Sequence, residues 1–507
     1  MPSDEEMSET IAALVARAAR GGSLATVEGE EVRGGDLGAA VERFAGVLRS
    51  LGLGPGDRVG IVLPNGPEMA LSLLASMVVG SAAPLNPKYR EEEFRFYLED
   101  LRPAAVIVGA DAGPGEVVAA AVPAGVPLVR VAGQGFAAEL TTGDGQAGGG
   151  QRSGSAPSGG DEALVLHTSG TTSRPKIVPL RQRNLYSSAH NIAASLRLTE
   201  ADRSLAVMPL FHIHGIMAGL LAPLSAGGGA VVTPGFDAFG FHRWLAESAA
   251  TYYTAVPTMH QMVLARAPKD RPHALRLIRS SSARLPAAVR EGLEERFAVP
   301  VIEAYGMTEA SHQIACSPLP PGPHKPGSVG VATGVDVAIL DREGRQLPAG
   351  ERGEISIKGP TVITAYENTP SANEQAFTGG WFRTGDEGVL DEDGYLFITG
   401  RLKEQINKGG EKISPLEVDE VLLRHPKVAE AVTFAIPHDK LGEEVGAAVV
   451  RAPGEELSDA ELRRFLSERL AAFKVPRTIV FVDEVPKGAT GKLQRIGLWE
   501  RLQADGR

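Results

Sequence analysis

Short apolar runs that alternate with stretches of helical period constrain this chain more than any other feature. Asp57 opens DRVGIVLP, which reads as a buried strand, Glu68 to Val79 repeats apolar residues at helical spacing, and Ala82 to Leu85 reads as strand again. A helix near Glu91 to Leu101 then leads into AAVIVG from Ala104. The same alternation starts with a helix over Asp36 to Leu51 and continues with a helix at Tyr186 to Leu196 and strands at Leu205 to Leu210 and Tyr252 to Val256. Strands that are apolar throughout need cover on both faces, and helical crossovers supply it. The pattern predicts an α/β fold of parallel βαβ layers. At 507 residues the chain is also too long for one ordinary core.

Three stretches break the rhythm. Thr141 to Gly160 is dominated by Gly and Ser and reads as a mobile surface connection, because it has too little apolar surface to offset its ordering entropy. From Gly334 to Tyr366, runs such as VDVAILD and GEISIKG between Gly, Pro and charged turns predict a small β-rich part, spanning 334–400 with the strands that follow. After Arg401 the alternation resumes, with a helix at Pro415 to Arg424, strands at Val428 to Ile436 and Gly446 to Val450, and a helix at Asp459 to Leu470. The expected division is a large domain over 1–400 and a small mobile α+β domain over 401–507, with the boundary at Gly400 to Leu402. No internal repeat is evident.

A mixture of 43% hydrophobic and 22% charged residues is that of an ordinary soluble protein. A net charge of −11 argues against bulk attraction to nucleic acid or an anionic membrane, so any anionic ligand must be held by local groups. Cys316 is the only cysteine, which excludes an internal disulfide framework and a cysteine-based zinc cluster and fits a reducing compartment, the cytoplasm. Ser204 to Phe236 carries no formal charge. Pro209, His212, His214, Pro223 and Gly227 to Gly229 interrupt it, so it reads as buried strand, helix and strand instead of a membrane span. The opening MPSDEEMSETIAALVARAAR predicts an amphipathic helix capped near Ser8, without the basic start of a secretion signal, and the final ADGR is not a recognised address.

Four constellations carry chemistry. In LVLHTSGTTSRPKIVPL, from Leu164, an apolar strand breaks into Thr168, Ser169, Gly170, Thr171 and Thr172, with Lys176 following. Small side chains, hydroxyls and a cation in this order can wrap a polyanion, though the pattern is not the Walker loop. In EAYGMTEASH, from Glu303, Tyr305 offers a flat face for a nucleobase, Thr308 a hydroxyl, and Glu309 a hard oxygen for Mg²⁺. In GWFRTGDEGVLDEDGYLFITGR, Asp386 can accept both hydroxyls of a ribose and Arg401 can reach a sugar or phosphate, while Asp391 to Gly394 is an acidic hairpin turn. Lys403 opens KEQINKGGEKISP, and Lys492 lies downstream in PKGATGKLQR, a Gly-bounded loop that domain closure can carry to a phosphate.

Together, and in this order over nearly all of the chain, these motifs resemble the adenylate-forming family of acyl-CoA synthetases, luciferases and peptide-synthetase adenylation domains. TSGTTSRPK resembles the family's phosphate loop, YGMTE its adenine and magnesium motif, and RTGD its ribose motif. GRLKEQINKGGEKISPLEVD is similar to its hinge and PKGATGKLQR to its catalytic-lysine loop. Ser173 and Ile177 stand where the family usually has glycine, which puts the loop's conformation in question more than its activity.

The resemblance implies ATP, Mg²⁺ and coenzyme A as cofactors and a small carboxylic acid as substrate. The acid attacks the α-phosphate of ATP to give an acyl-adenylate and pyrophosphate, and a thiol then displaces AMP. Lys492 would bridge carboxylate and α-phosphate in the first step. The C-terminal domain would swing about Lys403 for the second, presenting Gly409, Gly410 and Lys412 to the site. Ser282, Glu303 and Ala304 join the nucleotide site by the same resemblance, and His212 takes the role of the histidine that gates the acyl pocket. Nothing in the sequence sets an oligomeric state.

MPLFHIHG places His212 and His214 two residues apart, so in an extended segment both would face one side. By resemblance His312, Arg279 and Ser281 fall around the same acyl pocket. Histidines, an arginine and hydroxyls suit a short acid with a second carboxylate, since a buried second anion needs cations or donors. LHTSGTTSRPK, PLFHIHGIMAGLL, YTAVPTMHQ, EAYGMTEASH, GPHKPGSVG and NKGGEKISP resemble the oxalate–CoA ligase branch, which makes oxalate the leading substrate. Short- or medium-chain fatty acids and 4-coumarate-type acids are the alternatives within this chemistry. A protein loading a carrier protein and a non-catalytic nucleotide-binding relative are the alternatives outside it.

Overall fold

The helix Pro67–Val79 shows why the large domain is layered. Its sequence PEMALSLLASMVV is apolar or small on every side, and the residues from Met69 to Ala75 are all buried. Such a helix needs a partner on each face. It lies between two sheets, in one core that joins Val59 and Ile61 of the first to Leu24, Tyr252 and Leu277 of the second. Pro67 at its first turn needs no hydrogen-bond partner for the missing N–H, and Glu68 beside it accepts the Gly135 N–H at 2.6 Å.

The computed structural model describes residues 9–109, 114–142, 155–168, 175–268, 272–487 and 494–504. Among these residues the strands form four sheets. One runs in the order Glu139–Thr142, Leu128–Ala132, Ala105–Gly109, Arg58–Val62, Ser81–Pro84, Glu162–Thr168, Lys176–Arg181, parallel except for its two outer pairs. The second carries Gly229–Val232, Arg203–Ala206, Tyr252–Ala255, Leu277–Ser280 and Val301–Met307 as a parallel centre, with the antiparallel His312–Cys316 beside Val301–Met307. The parallel α/β expectation therefore holds.

A third sheet is antiparallel and joins Asp336–Leu340, Gly353–Lys358, Trp381–Leu390 and Leu396–Arg401. The fourth is built on the long hairpin Val428–His438 and Gly442–Arg451, with the helices Pro415–Leu423 and Asp459–Ser467 packed in its core. Between the third and fourth sheets the chain makes only the short turn Leu402–Glu404. Across this turn Ser414 Oγ donates to the Thr399 carbonyl at 2.7 Å and Gln405 Nε2 to Glu387 Oε1 at 3.2 Å, and Arg284, just after the second sheet's Leu277–Ser280, pairs with Glu420 at 3.0 Å. No helix among the described residues is long and apolar enough to cross a membrane.

Several local expectations need correction. The first helix is Ile11–Ala18, and Thr10 caps it by accepting the Ala13 N–H; Ser8 lies outside the described residues. The strand placed at Leu205 to Leu210 is Arg203–Ala206, because Pro209 cannot continue a ladder. His212 and His214 are not in an extended segment: the His212 carbonyl already accepts the Ile216 N–H, and His214 has helical φ −62°, ψ −49°. Residues 143–154 of the Gly/Ser-rich stretch lie outside the described residues.

Candidate active site

The expected phosphate loop joins two antiparallel strands, Glu162–Thr168 and Lys176–Arg181, with Thr168 paired to Lys176 across the hairpin. The chain thus returns along the sheet edge before it enters the helix Gln182–Ser195. Ser169, Gly170, Thr171 and Thr172 fall outside the described residues, as does Lys492. Lys176 is described. Its Nζ sits 4.2 Å from the centroid of the Tyr366 ring, and burial, together with the nearby Lys403 charge, holds its pKa below the ordinary lysine value.

Tyr305, Asp386 and Arg401 come from three separate strands and meet. Asp386 and Arg401 are direct cross-strand partners in the antiparallel pair, which puts their side chains on one face. Arg401 Nε donates to Asp386 Oδ1 at 2.7 Å, and the Tyr305 hydroxyl donates to Asp386 Oδ2 at 2.6 Å. Burial and the Asp386 charge hold the Tyr305 phenol well above its ordinary pKa, so it stays a donor. The Asp386 charge raises the Arg401 pKa in turn, which secures a cation beside the carboxylate. A carboxylate held by two donors keeps lone pairs for a diol and cannot rotate away from it.

Glu309 follows in the short turn Thr308–Ala310, which the backbone reaches through a bulge between Tyr305 and Gly306. Gly306 is required there, because a Cβ would overlap the His312 carbonyl oxygen. Glu309 is only 7% exposed, and Tyr366 donates to its Oε1 at 2.7 Å. Among the described residues no group of three His, Cys, Asp or Glu converges on a metal-sized space. A magnesium ion would therefore draw on Glu309 together with phosphate oxygens and water, the donor set that ion ordinarily takes, and a buried, oriented carboxylate fits that demand.

The acyl-pocket candidates form a second cluster. The widened π-type helix Gly215–Leu221 starts directly after His214, and Tyr252 and Ser204 donate to its Ala218 and Gly219 carbonyls. That start aims His214 at the second sheet, where its Nε2 lies 2.6 Å from Thr254 Oγ1 and its Nδ1 3.1 Å from Ser282 Oγ. The His312 ring stacks on it at 4.8 Å. Ser311 and His312 both have positive φ, 50° and 93°, so strained backbone is used to turn that ring inward. Arg279 is 0% exposed and donates to Thr254 Oγ1 at 3.1 Å and Gln313 Oε1 at 2.8 Å, with His214 Nε2 at 3.4 Å. Among the described residues no carboxylate pairs with it, and burial lowers its pKa.

Other expected site residues are placed less centrally. The Ser281 hydroxyl donates to the Ala304 carbonyl at 2.9 Å, which ties two neighbouring strands together. Glu303 faces His324 Nε2 at 4.0 Å. The His212 ring lies against Phe211. Gly409 and Gly410, both with positive φ, turn the hairpin whose next residue but one is Lys412, and the Gly409 N–H donates to the Leu441 carbonyl within the fourth sheet. Tyr366, Thr254 and Gln313 were not singled out from the sequence. A tyrosine after GPTVITA and a lone Thr and Gln in apolar strands carry no local signal; only their partners give them a role.

The AMP-binding enzyme family model matches residues 15–367, and the AMP-binding enzyme C-terminal domain matches residues 417–492. An oxalate–CoA ligase of Arabidopsis thaliana is 44% identical, covering 90% of this chain and 90% of the relative. An oxalate–CoA ligase of Saccharomyces cerevisiae is 42% identical, over 87% of this chain and 86% of the relative. Among solved structures, ATP-bound MatB from Rhodopseudomonas palustris is 30% identical and superposes with a TM-score of 0.85, over 97% of this chain and 98% of that one. The apo form of the same protein, covering 98% of this chain and 100% of its own, reaches 0.75.

Proposed function

The chain belongs to the AMP-binding enzyme family and is an AMP-forming acyl-CoA synthetase that uses ATP and coenzyme A, and on that premise we propose that its acid is oxalate. The observation that carries the choice is Arg279. A guanidinium buried without a carboxylate partner is costly, and it stands behind two stacked histidines at the acyl end of the site. Oxalate keeps a second carboxylate when the first is activated, and that anion gains from a cation placed there in advance. The relatives named oxalate–CoA ligase support the same choice.

The roles we assign come from the family resemblance, and the geometry at Asp386, Lys176 and Glu309 supports them. Asp386, held by Tyr305 and Arg401, takes the ribose of ATP. Lys176 and the Thr168 to Thr172 hydroxyls hold the departing pyrophosphate, with Ser282, Glu303 and Ala304 along the nucleotide. Glu309 and Thr308 would hold the magnesium ion, which supplies charge neutralisation on the phosphates when bound. Lys492 bridges the attacking carboxylate and the α-phosphate, and His212, His214, His312 and Ser281 line the acid. Lys403 is the hinge about which the C-terminal domain brings Gly409, Gly410 and Lys412 forward for thioester formation. The better superposition on the ATP-bound form supports a domain arrangement set for the first half-reaction. A single buried cysteine suits the cytoplasm.

Pyrophosphate release measured with oxalate, malonate, octanoate and 4-coumarate, each with and without CoA, tests the reading. Release with oxalate and oxalyl-CoA formation are expected. Preferential turnover of octanoate would defeat the second-carboxylate argument, and thioester formed only on a carrier protein would replace CoA as acceptor.

A further inference from the structure

Residues 360–366 cross the 308–311 turn as a strap. Asn184 Nδ2 donates to the Pro360 carbonyl at 2.6 Å, Ser311 Oγ to the Thr361 carbonyl at 2.8 Å, and the Ile363 N–H to the Glu309 carbonyl at 2.9 Å. Tyr366 ends the strap. Its hydroxyl donates to Glu309 Oε1 at 2.7 Å, and its ring face carries Lys176 Nζ at 4.2 Å. Asn373 clamps the Tyr366 backbone from both sides, accepting its N–H at 2.7 Å and donating to its carbonyl at 2.9 Å. The next residue, Glu367, donates its N–H to the Ile177 carbonyl, and Arg58 ties its carboxylate to that of Glu162 on the strand entering the phosphate loop.

One side chain therefore touches the magnesium-side carboxylate with its hydroxyl and the phosphate-side ammonium with its ring, and the residue after it is tied to both strands of the loop hairpin, through its backbone to one and through Arg58 to the other. The chemistry explains why a phenol suits this position. A buried carboxylate and an ammonium this close would otherwise collapse into an ion pair, and each would be lost to its ligand. The hydroxyl gives Glu309 a neutral hydrogen bond, and the ring gives Lys176 a cation–π contact weaker than a salt bridge.

We propose that Tyr366 is a positioning residue that holds Glu309 and Lys176 apart, so that the site takes up ATP and its magnesium ion as one unit. The proposal rests on the ATP-activating reading and not on the choice of acid. Calorimetric titration with ATP and with AMP, each with and without Mg²⁺ and with no acid or CoA present, tests it. In wild-type protein magnesium should strengthen ATP binding. In Tyr366→Phe, which keeps the ring over Lys176, that magnesium-dependent gain should fall about tenfold, the loss expected for a group that orients a metal ligand, while AMP affinity stays unchanged. In Tyr366→Leu, metal-free ATP binding should weaken as well, because Lys176 loses its platform. A Tyr366→Phe protein with the full magnesium gain, or one in which AMP and ATP affinities fall together with thermal stability, overturns the proposal alone. Wild-type protein that binds no ATP overturns the underlying reading and this proposal with it.

Discussion

Replacing Arg279 with methionine separates stability from specificity. Methionine follows a similar path through the core without the charge. Two hydrogen bonds from the guanidinium, to Thr254 and Gln313, are lost, each worth about 1.5–3 kcal/mol as bonds from a charged donor. Against this, a guanidinium with no carboxylate partner among the described residues is no longer taken out of water, a relief of several kcal/mol. The terms are of similar size and opposite sign, so stability should change by no more than about 2 kcal/mol in either direction. Catalysis has no such compensation. Arg279 lies 3.4 Å from His214 Nε2. A substrate carboxylate on the far side of that ring would stand roughly 8 Å from the cation, where an effective dielectric of about 20 gives about 2 kcal/mol. That is about a 30-fold loss in kcat/KM for oxalate. The assay is pyrophosphate release with oxalate and with glyoxylate, a monocarboxylate of the same size, alongside the KM for ATP and thermal unfolding. Equal losses for both acids, or a large fall in thermal stability with the ratio of the acids unchanged, would falsify the view that Arg279 serves the second carboxylate.

Three other perturbations test separate parts of the molecule. Lys492→Ala should slow adenylation by roughly 10²-fold or more while thioester formation from pre-made oxalyl-adenylate is largely spared, and equal loss of both steps would remove Lys492 from the first. Lys403→Pro fixes φ in the turn Leu402–Glu404 and should leave adenylation in place while slowing the thioester step; single-turnover kinetics of the two steps will show whether both slow together, which counts against the hinge. His260 is fully buried with its Nδ1 on the Tyr253 hydroxyl, and burial pushes its pKa down from 6.5 to about 4. The unfolded chain therefore takes up that proton first as pH falls, so stability declines below pH 6.5 and the loss is complete near pH 4, where it reaches about 3 kcal/mol. Thermal unfolding of His260→Gln should depend on pH less steeply than wild type across that window, and parallel curves would refute the assignment.

Much of the fold can be read along the chain because its signals are local. Continuous apolar runs such as AVIVG can be satisfied only between layers, and the structure puts Ala105–Gly109 inside the parallel part of its sheet. The helix Asp459–Ser467 announces itself with Ser458, which accepts the Glu461 N–H. Where local signals compete, the reading slips. FHIHG alternates like a strand, but the Pro209 carbonyl accepts the His212 N–H and starts a helix under the tertiary cover of Tyr252 and Ser204. The strand His312–Cys316 has no signal in the pattern of HQIAC itself; it forms by pairing with Val301–Met307.

The site divides the same way. Residue types and their order along the chain determine the chemistry: a small-residue loop before Lys176, a carboxylate at Glu309, another at Asp386, a lysine at 492. In the proposed reading these groups act on the nucleotide, whose demands are the same whatever surrounds them, so their motifs are short and recognisable. What tertiary structure decides is how those groups are held. Tyr305 and Arg401 meet on Asp386 across 81 and 15 residues of chain, and Tyr366 reaches Glu309 across 57. Arg279 becomes a buried cation with no carboxylate partner among the described residues only when its strand lies between Tyr252–Ala255 and Val301–Met307. Burial and pairing are properties of neighbours in space, and sequence order does not list them; that is why the reaction, and by resemblance an arginine at the acyl end, could be read from the chain while the full burial of Arg279 and the strap over Glu309 could not.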